Sequence, residues 1–99
     1  MKKISTTNRF EKDLKKVSKY PKFNKKALQS AIDTLAAGGK LDPKYKDHKM
    51  AKHSEGELQG FRDFHLVANI CVIYRQTDDE IILVRIGSHQ DIGLTESYI

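Results

Sequence analysis

The chain has 99 residues, of which 38% are hydrophobic and 31% are charged. These proportions suit one small globular domain spanning residues 1–99 and exclude a wholly disordered chain. No run approaches the roughly 20 apolar residues of a membrane helix. The first residues, Met1 to Thr7, lack the apolar centre of a secretory signal. We therefore expect a cytoplasmic protein without membrane contact.

The charges are distributed unevenly along the chain. Residues 1–52 contain 15 of the 18 Lys and Arg residues and 5 of the 13 acidic residues, which gives a net charge of +10. Residues 53–99 contain the remaining 3 and 8, which gives −5. A basic half attracts polyanions such as nucleic acid, but it also suits an acidic protein partner or a merely solvated lysine surface. Charge alone leaves these interpretations open.

The N-terminal part predicts an edge strand followed by a helix. Lys2 to Thr6 can form the strand, whose lysines would discourage edge-to-edge aggregation. Over residues 7–19, apolar side chains recur at the spacing of an amphipathic helix, namely Phe10, Leu14 and Val17. Pro21 should end this helix.

A second helix and a long loop follow. Asn24 is a candidate N-cap, and one face carries Ala27, Leu28, Ala31, Ile32 and Leu35. The pair Gly38-Gly39 should end the helix. Lys40 to Glu57 shows no clear period and is predicted to be a loop, which at this length in a small domain is often functional.

The second half has the composition of β-strands. Three segments rich in β-branched and aromatic residues are separated by short connections: Phe61–Val67, Ile70–Arg75 and Ile81–Gly87. They predict an antiparallel meander. The fold class is therefore α+β, with two helices on one face of a small, mainly antiparallel sheet in the order β-α-α-β-β-β. The other face should be available for function.

Strand alternation predicts which side chains share that second face. Phe64 and Leu66 should point to the helices, which leaves Asp63 and His65 together on the other side. In the last strand we expect Ile82, Val84 and Ile86 in the core. Leu83, Arg85 and Gly87 would then share the face of Asp63, with His89 just beyond the strand end.

The histidines suggest acid-base chemistry. All four, His48, His53, His65 and His89, lie in the loop or the sheet half. Imidazole both gives and accepts protons near neutral pH. Histidines beside an arginine suit metal-free cleavage of RNA, in which one side chain takes the 2′-OH proton, another protonates the leaving oxygen, and a cation stabilises the phosphate. DNA lacks the 2′-OH nucleophile.

Three strings resemble the YafQ branch of the RelE/ParE toxins: Leu41-Asp42-Pro43-Lys44-Tyr45-Lys46-Asp47-His48, Gly60-Phe61-Arg62-Asp63-Phe64-His65 and Arg85-Ile86-Gly87-Ser88-His89. The order of the predicted elements also matches that family. The resemblance implies a type II toxin that enters the ribosomal A site and cuts mRNA there. It also implies a cognate antitoxin that wraps and inactivates the toxin, and operator DNA as a ligand of the two proteins together.

The resemblance also implies roles for individual residues. His48, Asp63, His65 and His89 match catalytic or substrate-binding positions, and Arg85 matches a phosphate-contacting arginine. We assign phosphate binding to Lys46 and Arg62 as well. In our hypothesis His48 and His65 share the work of base and phosphate orientation, His89 is the general acid, and Asp63 tunes His65. No cofactor or metal is expected, and His53 is left out of the site.

Three alternatives remain open. A ParE-like gyrase inhibitor would share the fold but would not need the paired histidines. A metal-dependent hydrolase could use His48, His53 and Asp63 as ligands, although the spacing of a zinc motif is missing. A non-catalytic basic module would bind nucleic acid or an acidic partner through charge alone.

Overall fold

The computed structural model of the chain describes residues 1–49, 61–66 and 70–88, with the backbone alone at His48 and Lys49. The elements are β1 (Lys3–Thr6), α1 (Asn8–Val17), α2 (Lys25–Ala36), β2 (His48–Lys49), β3 (Phe61–His65), β4 (Ile70–Gln76) and β5 (Glu80–Ser88). This order confirms the two helices and the meander. The segment predicted as a continuous loop also contains a 3-10 turn at Pro43–Tyr45 and the short strand β2.

The strands form one five-stranded sheet in the order β1-β5-β4-β3-β2. β1 pairs parallel with β5, and the other neighbours pair antiparallel. The N-terminal segment is therefore an edge strand, and the sheet is mainly antiparallel. The predicted α+β class is confirmed.

The second helix begins and ends at the residues expected from its sequence. The Asn24 side chain accepts a hydrogen bond from the Ala27 backbone N–H at 3.0 Å. At the other end, Gly38 has a φ of +80°, a left-handed conformation that favours glycine, and its N–H bonds to the Leu35 carbonyl. Both ends are thus fixed by local backbone chemistry.

The core lies between the two helices and one face of the sheet. Its buried members are Phe10 and Val17 of α1, Leu28, Ala31 and Leu35 of α2, and Phe64, Leu66, Ile70, Val72, Tyr74, Ile81, Leu83 and Ile86 of the sheet half. Burial of large side chains such as these, at about 1.5–3 kcal/mol each, is the main favourable term for a domain of this size.

The expectation for the last strand was wrong at three positions, Ile82, Leu83 and Val84. Ile82 and Val84 are only partly buried, whereas Ile81 and Leu83 join Ile86 in the core. The inward pattern therefore changes phase within β5. Simple alternation could not give this result, because it assumes an uninterrupted strand.

A β-bulge at Val84 causes the change of phase. Ile73 pairs with Arg85 and the next residue, Tyr74, pairs with Leu83, so Val84 is the extra residue in β5. The bulge lets Leu83 enter the core while Arg85, two positions later, lies on the opposite face. Arg85 was thus placed on the correct face, although Leu83 was not.

Thr7 connects this bulge to the first helix. Its side chain accepts a hydrogen bond from the Phe10 backbone N–H at 3.0 Å, which caps α1. The same hydroxyl donates to the Val84 carbonyl at 2.8 Å, and the Thr7 N–H bonds to the Leu83 carbonyl at 3.1 Å. One residue therefore fixes both the helix start and the bulged part of β5.

The sheet face opposite the helices is not open along its whole length. Asp63, Cys71 and Ile73 are 5%, 0% and 0% exposed. His65 remains partly exposed. The accessible part of this face thus includes His65, while the centre of the face is covered.

Candidate active site

Asp63 and His65 form a close acid-imidazole pair on β3. The strand alternation that buries Phe64 among the helices places both neighbours on the opposite face, as predicted. His65 Nε2 lies 3.6 Å from Asp63 Oδ1, and the Asp63 side chain is 7% exposed against 27% for His65. The pair therefore places an imidazole next to a carboxylate at a position that a ligand can reach.

The backbone of β2 lies beside this pair. His48 is the partner of Asp63 in the antiparallel β2–β3 ladder. Directly opposed residues in such a ladder have Cβ atoms about 4.5–5.5 Å apart and on the same face. The structure thus brings positions 48, 63 and 65 together, whereas the His48 side chain itself lies outside the described residues.

Cys71 on β4 is the neighbour of His65 across the strands. Its Sγ lies 3.5 Å from His65 Nδ1. Burial, reinforced by the negative charge of Asp63, raises the pKa of the Cys71 thiol to about 12. The group is therefore a neutral thiol at physiological pH, able to donate weakly to the imidazole but unsuited to act as a nucleophile.

Arg85 shares a cross-strand row with Asp63. Asp63 pairs with Ile73, and Ile73 pairs with Arg85, so the two charged residues lie two strands apart, about 10 Å between backbones. The Arg85 guanidinium bonds to Asp13 of α1, with Nε at 2.6 Å and Nη2 at 3.3 Å from the two carboxylate oxygens. The candidate phosphate-binding arginine is thus held at the edge of the sheet by a helix residue.

Asp47 joins the loop before β2 to the two neighbouring strands. The Tyr74 hydroxyl donates to Asp47 Oδ1 at 2.8 Å, and Arg62 Nε contacts the same oxygen at 3.2 Å. Burial and the bond to Asp47 raise the pKa of Tyr74 well above its usual value. Burial alone would lower the pKa of Arg62, but the bonds to Asp47 and Tyr74 outweigh it and raise that pKa. Tyr74 stays neutral and Arg62 stays charged.

Lys46 and Arg62, both predicted to bind phosphate, line one surface groove of about 640 Å³. Lys40 adds a third cation, and Asp42 and Asp47 add two acids. Arg62 lies on the helix side of the sheet with Tyr74, whereas Asp63 and His65 lie on the other side. The groove and the acid-imidazole pair are therefore separate sites on either side of β3.

The predicted site residues divide into three groups. Asp63 and His65 are adjacent, with the backbone of position 48 beside them. Arg85 lies two strands away from Asp63, and Lys46 and Arg62 line the groove on the other side of β3. His89 lies outside the described residues, so the position of the proposed general acid stays a prediction.

Sequence reasoning missed the residues that hold the candidate side chains. Asp13 could have been noticed, because it lies three positions after Phe10 and four before Val17, on the buried face of an amphipathic helix. An acid at such a position calls for a cationic partner. Tyr74 gives no comparable signal, since its hydroxyl partner is far away in sequence.

In residues 1–49, 61–66 and 70–88, no group of three or more His, Cys, Asp or Glu side chains could hold a metal ion. Within the same ranges, the helices are too short and too polar to cross a membrane.

Comparison with known proteins places the chain among toxins. The model of the family described as the bacterial toxin of a type II toxin-antitoxin system, YafQ, matches residues 2–93. A metal-bound toxin from Helicobacter pylori is 36% identical with a TM-score of 0.79, and the match covers 93% of this chain and 99% of that one. YafQ in the E. coli DinJ-YafQ complex is 26% identical with a TM-score of 0.79, over 93% and 98% of the two chains. E. coli YafQ solved separately is 25% identical with a TM-score of 0.77, again over 93% and 98%. No curated protein sequence matches significantly.

This chain shares its two helices and mixed sheet with these solved structures over nearly their whole lengths. The shared arrangement is a RelE-like toxin fold. The family match covers most of the chain and includes all the candidate site residues. The chain belongs to the YafQ family and is a toxin of a type II toxin-antitoxin system.

Proposed function

We propose that this toxin is an endoribonuclease that cuts mRNA in the ribosomal A site without a metal ion. The observation that carries the proposal is the Asp63–His65 pair, with Nε2 and Oδ1 3.6 Å apart and position 48 opposite Asp63. A partly exposed imidazole beside a nearly buried carboxylate is suited to proton transfer. Such a pair has no role in binding that depends on charge alone.

The proposed reaction is transfer of the phosphate to the neighbouring 2′-oxygen. A base takes the 2′-OH proton as the 2′-oxygen bonds to phosphorus. The bond from phosphorus to the 5′-oxygen then breaks, and an acid protonates that oxygen. The products are a 2′,3′-cyclic phosphate and a free 5′-OH. A fixed cation stabilises the extra negative charge on the pentacoordinate phosphate.

The site residues take the following proposed roles. His48 and His65 share the functions of base and phosphate orientation, with Asp63 tuning His65. His89 is the general acid. Arg85 is the cation at the scissile phosphate. It reaches that phosphate by sharing or exchanging its bonds to Asp13.

Lys46 and Arg62 contact other phosphates of the RNA through the groove beside β3. The bonds from Arg62 to Asp47 and Tyr74 both use Nε, and the two amino groups of the guanidinium take no part in them. These groups can approach an RNA phosphate while Nε stays engaged. Lys40 increases the positive potential at the same place.

A cognate antitoxin is the proposed protein partner. The E. coli relative is seen in a complex named DinJ-YafQ. The net charge of +10 over residues 1–52 suits both an acidic antitoxin segment and ribosomal RNA, so the two would compete for overlapping surface. We place the reaction in the bacterial cytoplasm, where ribosomes translate mRNA, and we assign operator DNA to the toxin and antitoxin together.

The test is controlled expression in a bacterium with mapping of transcript ends. The wild type should produce cuts spaced by codons within translated regions. His65→Ala and His89→Ala should each abolish the cuts while antitoxin binding and the circular dichroism spectrum stay unchanged. His53→Ala, outside the proposed site, is the matched control and should cut normally. Toxin that has been treated with EDTA and then dialysed should remain fully active on ribosomes, which separates this mechanism from one that needs a metal bound to the toxin.

Two outcomes would contradict the proposal. DNA breaks with intact transcripts would indicate a gyrase inhibitor of the same fold. Full cleavage by both histidine variants would leave the family assignment standing but would remove the acid-base site.

A further inference from the structure

The segment just before β2 is fixed by several local contacts. The Asp42 side chain accepts a hydrogen bond from the Lys44 N–H at 2.9 Å, which starts the 3-10 turn. Lys46 ends the turn with a φ of 51°, a left-handed conformation unusual for a lysine, and its N–H bonds to the Pro43 carbonyl. The chain direction after the turn is therefore set before Asp47 is reached.

Aromatic contacts hold this turn on the sheet. The Tyr45 ring meets the Phe64 ring edge-on with centroids 6.1 Å apart. Phe64 in turn packs against Tyr74 with centroids 5.8 Å apart. Pairs of this kind contribute beyond their buried area because the ring edge is attracted to the neighbouring face. The turn is thus attached to β3 and β4 two residues before Asp47.

Asp47 is the last side chain described before β2, and it is bonded to both strands beneath it. Tyr74 of β4 is fully buried, so its hydroxyl needs a partner in the protein, and it donates to Asp47. Arg62 of β3 contacts both the Asp47 oxygen and the Tyr74 oxygen at 3.2 Å. Arg62 is also the ladder partner of Lys49. The cluster of Asp47, Arg62 and Tyr74 therefore holds the chain directly before His48 and includes the ladder partner of Lys49.

We infer that Asp47 is a positioning residue for the candidate active site: its bonds to Tyr74 and Arg62 hold position 48 in register with Asp63. This inference rests on the proposed function of position 48. The part of the ladder that lies in the described residues has two pairs, which is too short to fix its own register, because short isolated pairings are marginal in water. Slippage by one residue would turn side chain 48 to the other face of the sheet.

Catalysis is more sensitive to this register than folding is. A displacement of about 1 Å at a reacting group can lower the rate about a hundredfold. Asp47, Arg62 and Tyr74 do not contact the substrate phosphate that His65 addresses, because Arg62 and Tyr74 lie on the helix side of β3. Removal of the Asp47 carboxylate alone leaves Arg62 and Lys46 in the groove to bind the other RNA phosphates, so it should lower kcat while leaving KM almost unchanged.

The experiment compares Asp47→Ala, Asp47→Asn and Tyr74→Phe in single-turnover cleavage of mRNA on programmed ribosomes. Asp47→Ala should lower kcat about a hundredfold, with KM within about twofold. Asp47→Asn keeps an oxygen acceptor for Tyr74 and should restore most of the rate. Tyr74→Phe keeps the ring in the core and should give an intermediate rate. Asp33→Ala, an exposed acid on α2, is the control and should cut like the wild type.

A second measurement does not depend on catalysis. Nuclear Overhauser contacts between residues 48 and 63 report the register directly and should weaken in Asp47→Ala but persist in Asp47→Asn. Wild-type kcat in a folded Asp47→Ala variant, or unchanged contacts between 48 and 63, would overturn the inference. If the wild type itself cuts no RNA, the proposed function fails, and the contacts between 48 and 63 still decide whether Asp47 sets the register.

Discussion

Arg85 of the last strand and Asp13 of the first helix form a two-bond ion pair, with Nε and Oδ2 only 2.6 Å apart. Both side chains are 14% exposed. The same carboxylate accepts the Ile86 backbone N–H at 3.3 Å, at the part of β5 that follows its described pairing with β1. Asp13 therefore accepts a hydrogen bond from the backbone of β5 and also holds Arg85, the candidate phosphate-binding residue.

Asp13→Ala should lower the free energy of unfolding by about 2–4 kcal/mol, because it removes the carboxylate that accepts from a largely buried guanidinium and from a backbone N–H. Urea unfolding measures the change. Asp33→Ala, an exposed acid, should change it by less than about 0.5 kcal/mol. Adding Arg85→Ala to Asp13→Ala should recover part of the loss. Additive effects of the two substitutions would show that the pair contributes nothing as a pair.

Cys71 should make the folded state sensitive to alkaline pH. Its thiol has a folded-state pKa of about 12 against an ordinary value near 9, so the unfolded chain loses this proton first. The stabilising contribution is complete below pH 9 and is lost progressively as the pH rises toward 12. Cys71→Ala should unfold more easily at neutral pH but show a flatter decline in this window. If stability falls equally steeply with pH in Cys71→Ala, the loss arises from the titration of other groups, such as Tyr74.

The same burial predicts a thiol that does not react in the folded protein. A disulfide reagent at neutral pH should modify Cys71 only after denaturation, because the thiolate is scarce and the side chain is inaccessible. The rate at which the Cys71 thiol is modified should follow the rate at which the folded protein opens to expose it. Rapid labelling without denaturant would contradict the environment described for His65 and Cys71.

Thr7 should contribute more to the free energy of unfolding than an ordinary helix N-cap does. Thr7→Ala removes the acceptor for the Phe10 N–H and the donor to the Val84 carbonyl, and should lower the free energy of unfolding by about 1–2 kcal/mol. Thr7→Ser keeps the hydroxyl and is the matched control. A loss of stability that is equal in the two variants would point to the methyl group instead.

The exposed lysines of α1 should contribute to ribosome binding. Replacing Lys15 and Lys16 by Glu should weaken association, and the slope of log K against log salt should decrease by about one for each RNA phosphate that the variant no longer neutralises. Replacing both by Arg keeps the charge and should preserve binding. If the Glu variant binds with an unchanged slope, these lysines serve solubility alone.

The parts of the fold that depend on local sequence were predicted correctly. The N-cap at Asn24, the helix end at Gly38 and the edge strand near Lys3 each follow from the chemistry of a few neighbouring residues. The adjacency of Asp63 and His65 follows from strand alternation alone. These features need no knowledge of distant parts of the chain.

Apart from the local 3-10 turn at Pro43–Tyr45, the features that were missed depend on contacts between distant residues. The bulge at Val84 shifts the core pattern of β5, and Thr7, 77 positions earlier, bonds to its carbonyl. Asp13 and Arg85 are 72 positions apart, and Asp47 and Tyr74 are 27 apart. Periodicity detects which face a residue prefers, but it does not report which distant partner that residue meets.

The parallel pairing of β1 with β5 has a consequence for the newly made toxin. Lys3 meets Glu80, so the first strand has no partner until the last strand has been synthesised. The first helix packs mainly against the same strand. A chain released early, before residue 80, would lack the partner of β1 and the main support of α1. Toxicity should therefore arise only after β5 has been synthesised.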